Sequence, residues 1–207
     1  MVSSKLSRIA VLFVVFLLAF SWLLPAQDQA PAKPEKPEKP LSVYTLGQQS
    51  FSLSLGLFIP LFFQDFNGGY APTNLSLGGF GSLQWGVHLD NHWLVGAEVG
   101  GIFSKSLHQD FFYMLPITVK GEYIFHVYPF EFPVFLGAGM NVLKYTAQAD
   151  ITFILKPGFA SLWKYNVNWG FGLNVVYWWV PQPWSPDPSK ARMGNFLEVS
   201  ATAQYNF

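Results

Sequence analysis

The 207-residue chain is 51% hydrophobic and 18% aromatic but only 12% charged, with twelve basic residues balancing twelve acidic ones. A water-facing globule carries about 25% charged residues, so this chain is too poor in charge to cover one, and its zero net charge offers no field for nucleic acid or an acidic partner. It has no cysteine, which excludes disulfide frameworks, thiolate metal sites, thiol nucleophiles and lipoprotein anchoring.

Lys5 and Arg8 precede an apolar run from Ile9 to Leu24, and Pro25-Ala26-Gln27 follow. A basic start, an apolar stretch and a small residue before polar sequence predict a secretory signal peptide over 1–26, cleaved after Ala26. The competing reading, an uncleaved anchor, needs ~20 apolar residues, and this run is shorter. Residues 27–41 contain the low-complexity stretch PAKPEKPEKP. Proline fixes φ and lacks a donor, so the stretch is expected to be an extended periplasmic spacer, on the order of 30 Å long at ~3.1 Å per residue. The remaining 42–207 is the folded domain, and it keeps only seven basic and nine acidic residues.

No later segment offers an apolar run of helix-spanning length; what recurs is alternation with period two. The first strand sets Phe51, Leu53, Leu55, Leu57 and Ile59 against Ser52, Ser54 and Gly56. The second sets Leu75, Leu77, Leu83, Trp85, Val87 and Leu89 against Gly78, Ser82, Gln84, Gly86 and His88, and Asp90-Asn91 turns the chain. The third pairs Trp93, Val95, Ala97, Val99 and Phe103 with Leu94, Gly96, Glu98 and Gly100. The fourth runs from Leu115 to Phe125 with Lys120 and Glu122 on its polar face, and the fifth covers Val134 to Val142 opposite Phe135, Gly137, Gly139 and Asn141. The sixth, about 152–165, is the weakest, because Lys156-Pro157-Gly158 interrupts its phase. The seventh carries Trp169, Phe171, Leu173, Val175, Tyr177 and Trp179, and the eighth Leu197, Val199, Ala201, Ala203, Tyr205 and Phe207 opposite Glu198, Ser200, Thr202, Gln204 and Asn206.

The large apolar face is free of charge from strand to strand, while the other face collects glycine, serine, glutamine and the few charges. A soluble barrel would put its polar face outward and need far more lysine and glutamate there. The pattern therefore predicts an all-β, eight-stranded antiparallel up-and-down transmembrane barrel, with lipid against the apolar face and aromatics near the strand ends. Strands of this length suffice for a bilayer crossing of ~9–11 tilted residues, and closure leaves no unpaired backbone in lipid. Longer connections are expected at 60–74, 104–110, 145–151 and 181–194, and short ones at 90–92, 126–131 and 166–168. Outer-membrane barrels keep their short turns in the periplasm, so both termini are expected there.

A leader, eight alternating strands and a last strand ending Tyr205-Asn206-Phe207 resemble the small bacterial outer-membrane barrels of the OmpA/OmpX/OmpW type. The resemblance covers about 42–207 and is one of pattern. It implies a cell outer-membrane location among lipid and lipopolysaccharide, and a terminal aromatic signal, here Tyr205 and Phe207, read by the barrel-assembly machinery.

Strand direction sorts the lumen by height. Phe58, Phe80, Ile102, Met114, Leu143, Val176, Trp178 and Phe196 fall in the outer half and form an apolar cup. Ser54, Gln84, His88, Glu98, Lys120, Glu122, Asn141, Ser200 and Gln204 fall below it. Two readings follow. In the leading one the cup binds or passes small hydrophobic molecules, porin-like, with sideways release into the bilayer near Pro157, Pro181 and Pro183, where ladder donors are missing; OmpW-like proteins resemble it in this. In the other the barrel is structural or adhesive, its lumen simply filled, with Lys120 paired to Glu98, Glu122 or Glu198 because buried charges need partners. A void at Phe58, Phe80, Trp178 and Phe196 favours the first reading and close packing the second.

A third reading, a lipid A-modifying enzyme, would need His108 against a serine hydroxyl, with Ser104, Ser106 and Asp110 nearby. No His-x-Ser pair occurs, and the chain is expected not to be an enzyme. His88, Asp90 and His92 carry metal-ligand chemistry but lack a fourth partner, and His126 lies at another turn, so no metal and no cofactor is expected. Gly96 and Gly100 lie inside strands, which excludes a phosphate loop. The loop over 181–194, with four prolines, Trp184, Lys190 and Arg192, suits an adhesive or lipopolysaccharide contact.

Overall fold

A computed structural model describes residues 44–65, 68–106, 110–145, 148–182 and 191–207. The expected signal peptide and spacer lie outside the described residues, as do His108, Pro183, Trp184 and Lys190.

Every element among the described residues is a strand: β1 Gln49–Asp65, β2 Tyr70–Ala71, β3 Gly78–His88, β4 Trp93–Lys105, β5 Phe111–Val127, β6 Phe130–Tyr145, β7 Gln148–Lys164, β8 Trp169–Gln182 and β9 Arg192–Asn206. Consecutive long strands pair antiparallel, and β1 also pairs β9 from Ser50–Asn206 to Asp65–Arg192. That last pairing closes an eight-stranded barrel, to which β2 adds only a two-residue hairpin on β1. Each strand thus has one face toward the barrel interior and one toward the surroundings.

The outward face is apolar, as the alternation requires. Leu55 is 61% exposed, Val119 64%, Met140 64% and Leu173 61%. Serine, asparagine, lysine and glutamate are buried inside instead. This inversion of a soluble protein's layout is the arrangement that lipid demands. Aromatics crowd the end that carries Tyr44 and Phe207, hereafter the terminal end: Trp93, Tyr123 and Phe125 pack edge to face, and Trp169 packs on Tyr205. The opposite end is called the loop end.

Narrowness of the barrel explains the inward glycines. A Cβ on Gly56 would lie 2.2 Å from the Val199 carbonyl oxygen, and one on Gly172 2.0 Å from that of Ser161. Neighbouring strands curve too tightly there for any side chain.

Three expectations about boundaries are corrected. Leu75 and Leu77 do not belong to the second long strand, which begins at Gly78; Leu75 forms a separate bridge to Ser106. The long connection expected at 145–151 shrinks to 146–147, because β6 and β7 keep one register from Phe130–Trp163 to Tyr145–Gln148. Lys156-Pro157-Gly158 does not break its strand either: β7 runs through it, and Pro157 sits opposite Leu136 on β6. The missing donor shows on the other side. Between Leu155–Trp179 and Gly158–Val176 the β7–β8 ladder skips two pairs, and beyond Leu155–Trp179 toward the loop end it stops.

Candidate functional site

The lumen is built in layers. Nearest the loop end, alternate residues of the long strands point inward, and all eight residues expected in the cup are buried in one cluster. Phe112, Phe135, Ile154, Ala160 and Val180 join them, with Phe63 and Leu75 packed against the group. The rings touch. Phe58 lies 5.5 Å from Trp178 and 4.9 Å from Phe196 between centroids, and Phe80 stands edge-on to Trp178 at 5.8 Å. These are the contact distances of packed aromatic pairs, not the walls of a void.

Below the cup lies a charged layer. Lys120 is 3.3 Å from Glu122 and 3.7 Å from Glu98, and donates to Gln84 Oε1 at 2.8 Å. Glu98, Lys120 and Glu122 are therefore neighbours in the lumen, and Glu198 joins them through Lys156. Alternation alone missed the second cation. Lys156, 3% exposed, pairs with Glu98 and lies 3.5 Å from Glu198. Its ammonium also sits 4.3 Å from the Trp178 ring centroid, and Lys120's lies 3.7 Å from that of Phe135. Trp178 Nε1 donates to Glu198 Oε2 at 2.9 Å and Ser200 Oγ to Oε1 at 2.9 Å. Cup and charged layer are thus stitched together, with two cations serving three carboxylates.

A polar stretch follows. Asn174 donates to Thr202 Oγ1 at 2.6 Å, and Ser54 and Thr202 share a 2.6 Å hydroxyl contact. A cavity of about 20 Å³, bordered by Ser52, Gln84, Lys120 and Gln204 among others, is open here. That is room for a water molecule, not for an organic solute.

The terminal mouth is closed by groups that sequence reasoning did not bring together. Tyr44 turns into the barrel, stacks on His88 at 3.8 Å and 11°, and donates its hydroxyl to Glu131 Oε2 at 2.8 Å. Lys164 donates to the same hydroxyl and lies 3.5 Å from Glu131. His126 contacts Glu131 through Nδ1 at 3.2 Å and the Asn91 carbonyl through Nε2 at 2.6 Å. Glu131 was hidden because β6 begins at Phe130, earlier than its apolar residues indicate; Lys164 continues the inward phase of Lys156.

The remaining sequence candidates separate. His88 faces the lumen and is fully buried, whereas His92 is exposed and Asp90 accepts from the His92 and Trp93 backbone N–H groups at 2.7 and 2.6 Å. The trio does not converge on a metal position. Those two backbone donors hold the Asp90 carboxyl below its ordinary range. Ser104 donates to the Ser76 carbonyl oxygen at 2.7 Å, which occupies its hydroxyl.

Among solved structures, the barrel is similar to Neisserial surface protein A (TM-score 0.55, 11% identity, 78% of this chain and 97% of that one). It is also similar to the outer membrane protein OprG from Pseudomonas aeruginosa (TM-score 0.51, 13% identity, 79% and 97%). At such identities the likeness is one of fold: a small eight-stranded barrel of the outer-membrane type. An uncharacterized protein of Borreliella burgdorferi is 28% identical over 179 residues, covering 76% of this chain and 82% of the relative. A protein-family model matches residues 31–205, and the chain belongs to that uncharacterised family.

Proposed function

We propose that this chain is a non-enzymatic bacterial outer-membrane barrel whose lumen is a filled support, and whose loop end carries the contacts that matter to the cell. The observation behind this reading is the aromatic packing of the cup: Phe58, Trp178, Phe80 and Phe196 occupy the space a hydrophobic solute would need. The charged layer beneath supports it, because five interlocked ionic side chains obstruct the axis. In this reading the terminal end lies in the periplasm. The outward residues of β9, with Tyr205 near its end and Phe207 just after it, are then the signal offered to the assembly machinery, and the loop end meets lipopolysaccharide or another surface partner.

The β7–β8 seam favours a second reading, uptake of small hydrophobic molecules with lateral release. The ladder ends at Leu155–Trp179, and the cup residues Ile154 and Val180 lie just beyond it. A solute entering there would have to displace Trp178 or its neighbours. Equilibrium binding of naphthalene to the purified barrel in detergent separates the two. The filled-lumen reading expects binding no stronger for the wild type than for a Trp178→Phe, Phe58→Leu double variant. Saturable binding that this variant weakens tenfold would establish the uptake reading instead.

A further inference from the structure

The terminal mouth holds a group that closure of the barrel does not require. His88 is fully buried, and neither ring nitrogen has a hydrogen-bond partner. Buried polar nitrogens are ordinarily satisfied, so a doubly orphaned imidazole is costly and calls for a reason. Its cover is the Tyr44 ring, stacked face to face upon it. Tyr44 belongs to no strand. Its contacts include the stack, its hydroxyl to Glu131, the Lys164 ammonium on that hydroxyl, and its N–H to Asn91 Oδ1 at 3.1 Å. Leu94 and Ile124 complete its seat. Leu94 also borders the polar cavity, so Tyr44 stands between that cavity and the terminal end.

We propose that Tyr44 is an acid-released latch on the terminal mouth of the barrel, with His88 as its sensor. The charged and titratable groups that face His88 are Glu131 on β6, Lys164 on β7, His126 on β5 and Asp90 in the β3–β4 turn. Glu131 is already engaged by Lys164, Tyr44 and His126. His126 Nδ1 has Glu131 Oε1 at 3.2 Å. A proton taken up by His88 meets no hydrogen-bond acceptor: both N–H groups would lie unsatisfied under the Tyr44 ring, with Lys164 beside them and Glu131 held by other donors. Withdrawal of Tyr44 admits water to both nitrogens. The latched form therefore disfavours the extra proton, and by linkage acid favours release. Release uncovers the polar half of the lumen while the aromatic cup stays shut.

The chain has no cysteine, so Thr45→Cys gives a single attachment point for a nitroxide beside the latch. Electron paramagnetic resonance of the full-length barrel in lipid vesicles then reads its mobility. The label is expected to be restricted at about pH 7.5 and several-fold faster at about pH 4.5. Adding Tyr44→Ala should make it mobile at both. Adding His88→Phe keeps the stack without the proton site and should leave it restricted at both, while His126→Gln should leave the transition in place. A wild-type label unchanged between the two pH values, or a transition that survives His88→Phe, overturns the proposal. Should His88→Phe fail to assemble, the wild-type titration still decides against the mobile Tyr44→Ala reference.

Discussion

Lys156 on β7 joins two carboxylates from other strands, Glu98 on β4 and Glu198 on β9, and its ammonium rests against Trp178. Removing one partner of a buried ionic network leaves the others uncompensated and costs about 3–5 kcal/mol. Lys156→Met is therefore expected to lower the urea midpoint of the heat-modifiable gel band sharply, and Lys156→Met with Glu98→Gln to recover part of the loss. Trp178→Ala removes both a packed ring and the donor to Glu198 Oε2, and its expected cost is about 3–5 kcal/mol in the same assay. At the barrel's rim, Asp90 caps the β3–β4 turn as a carboxylate held below its ordinary range. Its contribution is present above the ordinary aspartate range and is lost as pH falls through the lowered value. An acid titration of the His92 and Trp93 amide shifts should show that late midpoint, and Asp90→Asn should abolish it. The four charged lumen residues readable from phase were Glu98, Lys120, Glu122 and Glu198. Three carboxylates against one lysine was itself a signal that a cation was missing. Proline and glycine beside Lys156 masked its strand, because their turn chemistry outweighed the continuing inward phase of Ile154, Lys156 and Ala160.

At the scale of strands, inward and outward faces were legible wherever lipid imposes them, since a one-residue slip would turn the apolar set into the lumen. Legibility faded where the membrane's demand ends. Bilayer crossing takes ~9–11 residues, whereas β1, β5 and β7 each have 17. Beyond the apolar band the ladder persists with small and polar residues, so the sequence from 146 to 150 looks like loop while pairing continues almost to the turn. Tyr44 was illegible for a different reason: nothing periodic marks a single residue that folds back into a mouth. The β7–β8 seam follows from Pro157, which has no N–H to offer β8. Pro157→Ala supplies that donor opposite Tyr177. Hydrogen exchange around Tyr177 and Trp178 is expected to slow, with no change at Leu136 on β6, whose pairing to Pro157 is already in place.

The described barrel is a sheet closed on itself with its chemistry turned inward: apolar cup, ionic layer, polar cavity and a tyrosine-covered mouth. Scarcity of charge, evident in the composition, reflects this layout, because the described barrel keeps its charges in the lumen and at its ends. An interior occluded at three levels should carry no current, and shedding the Tyr44 latch in acid should not change that while the cup remains packed. Planar-bilayer recording of the purified wild-type barrel, with insertion verified by its heat-modifiable band, is the most direct measurement. The expected result is a bilayer baseline without step currents at about pH 7.5 and about pH 4.5 alike. Discrete, reproducible conductance steps from wild-type protein at either pH would contradict the filled lumen.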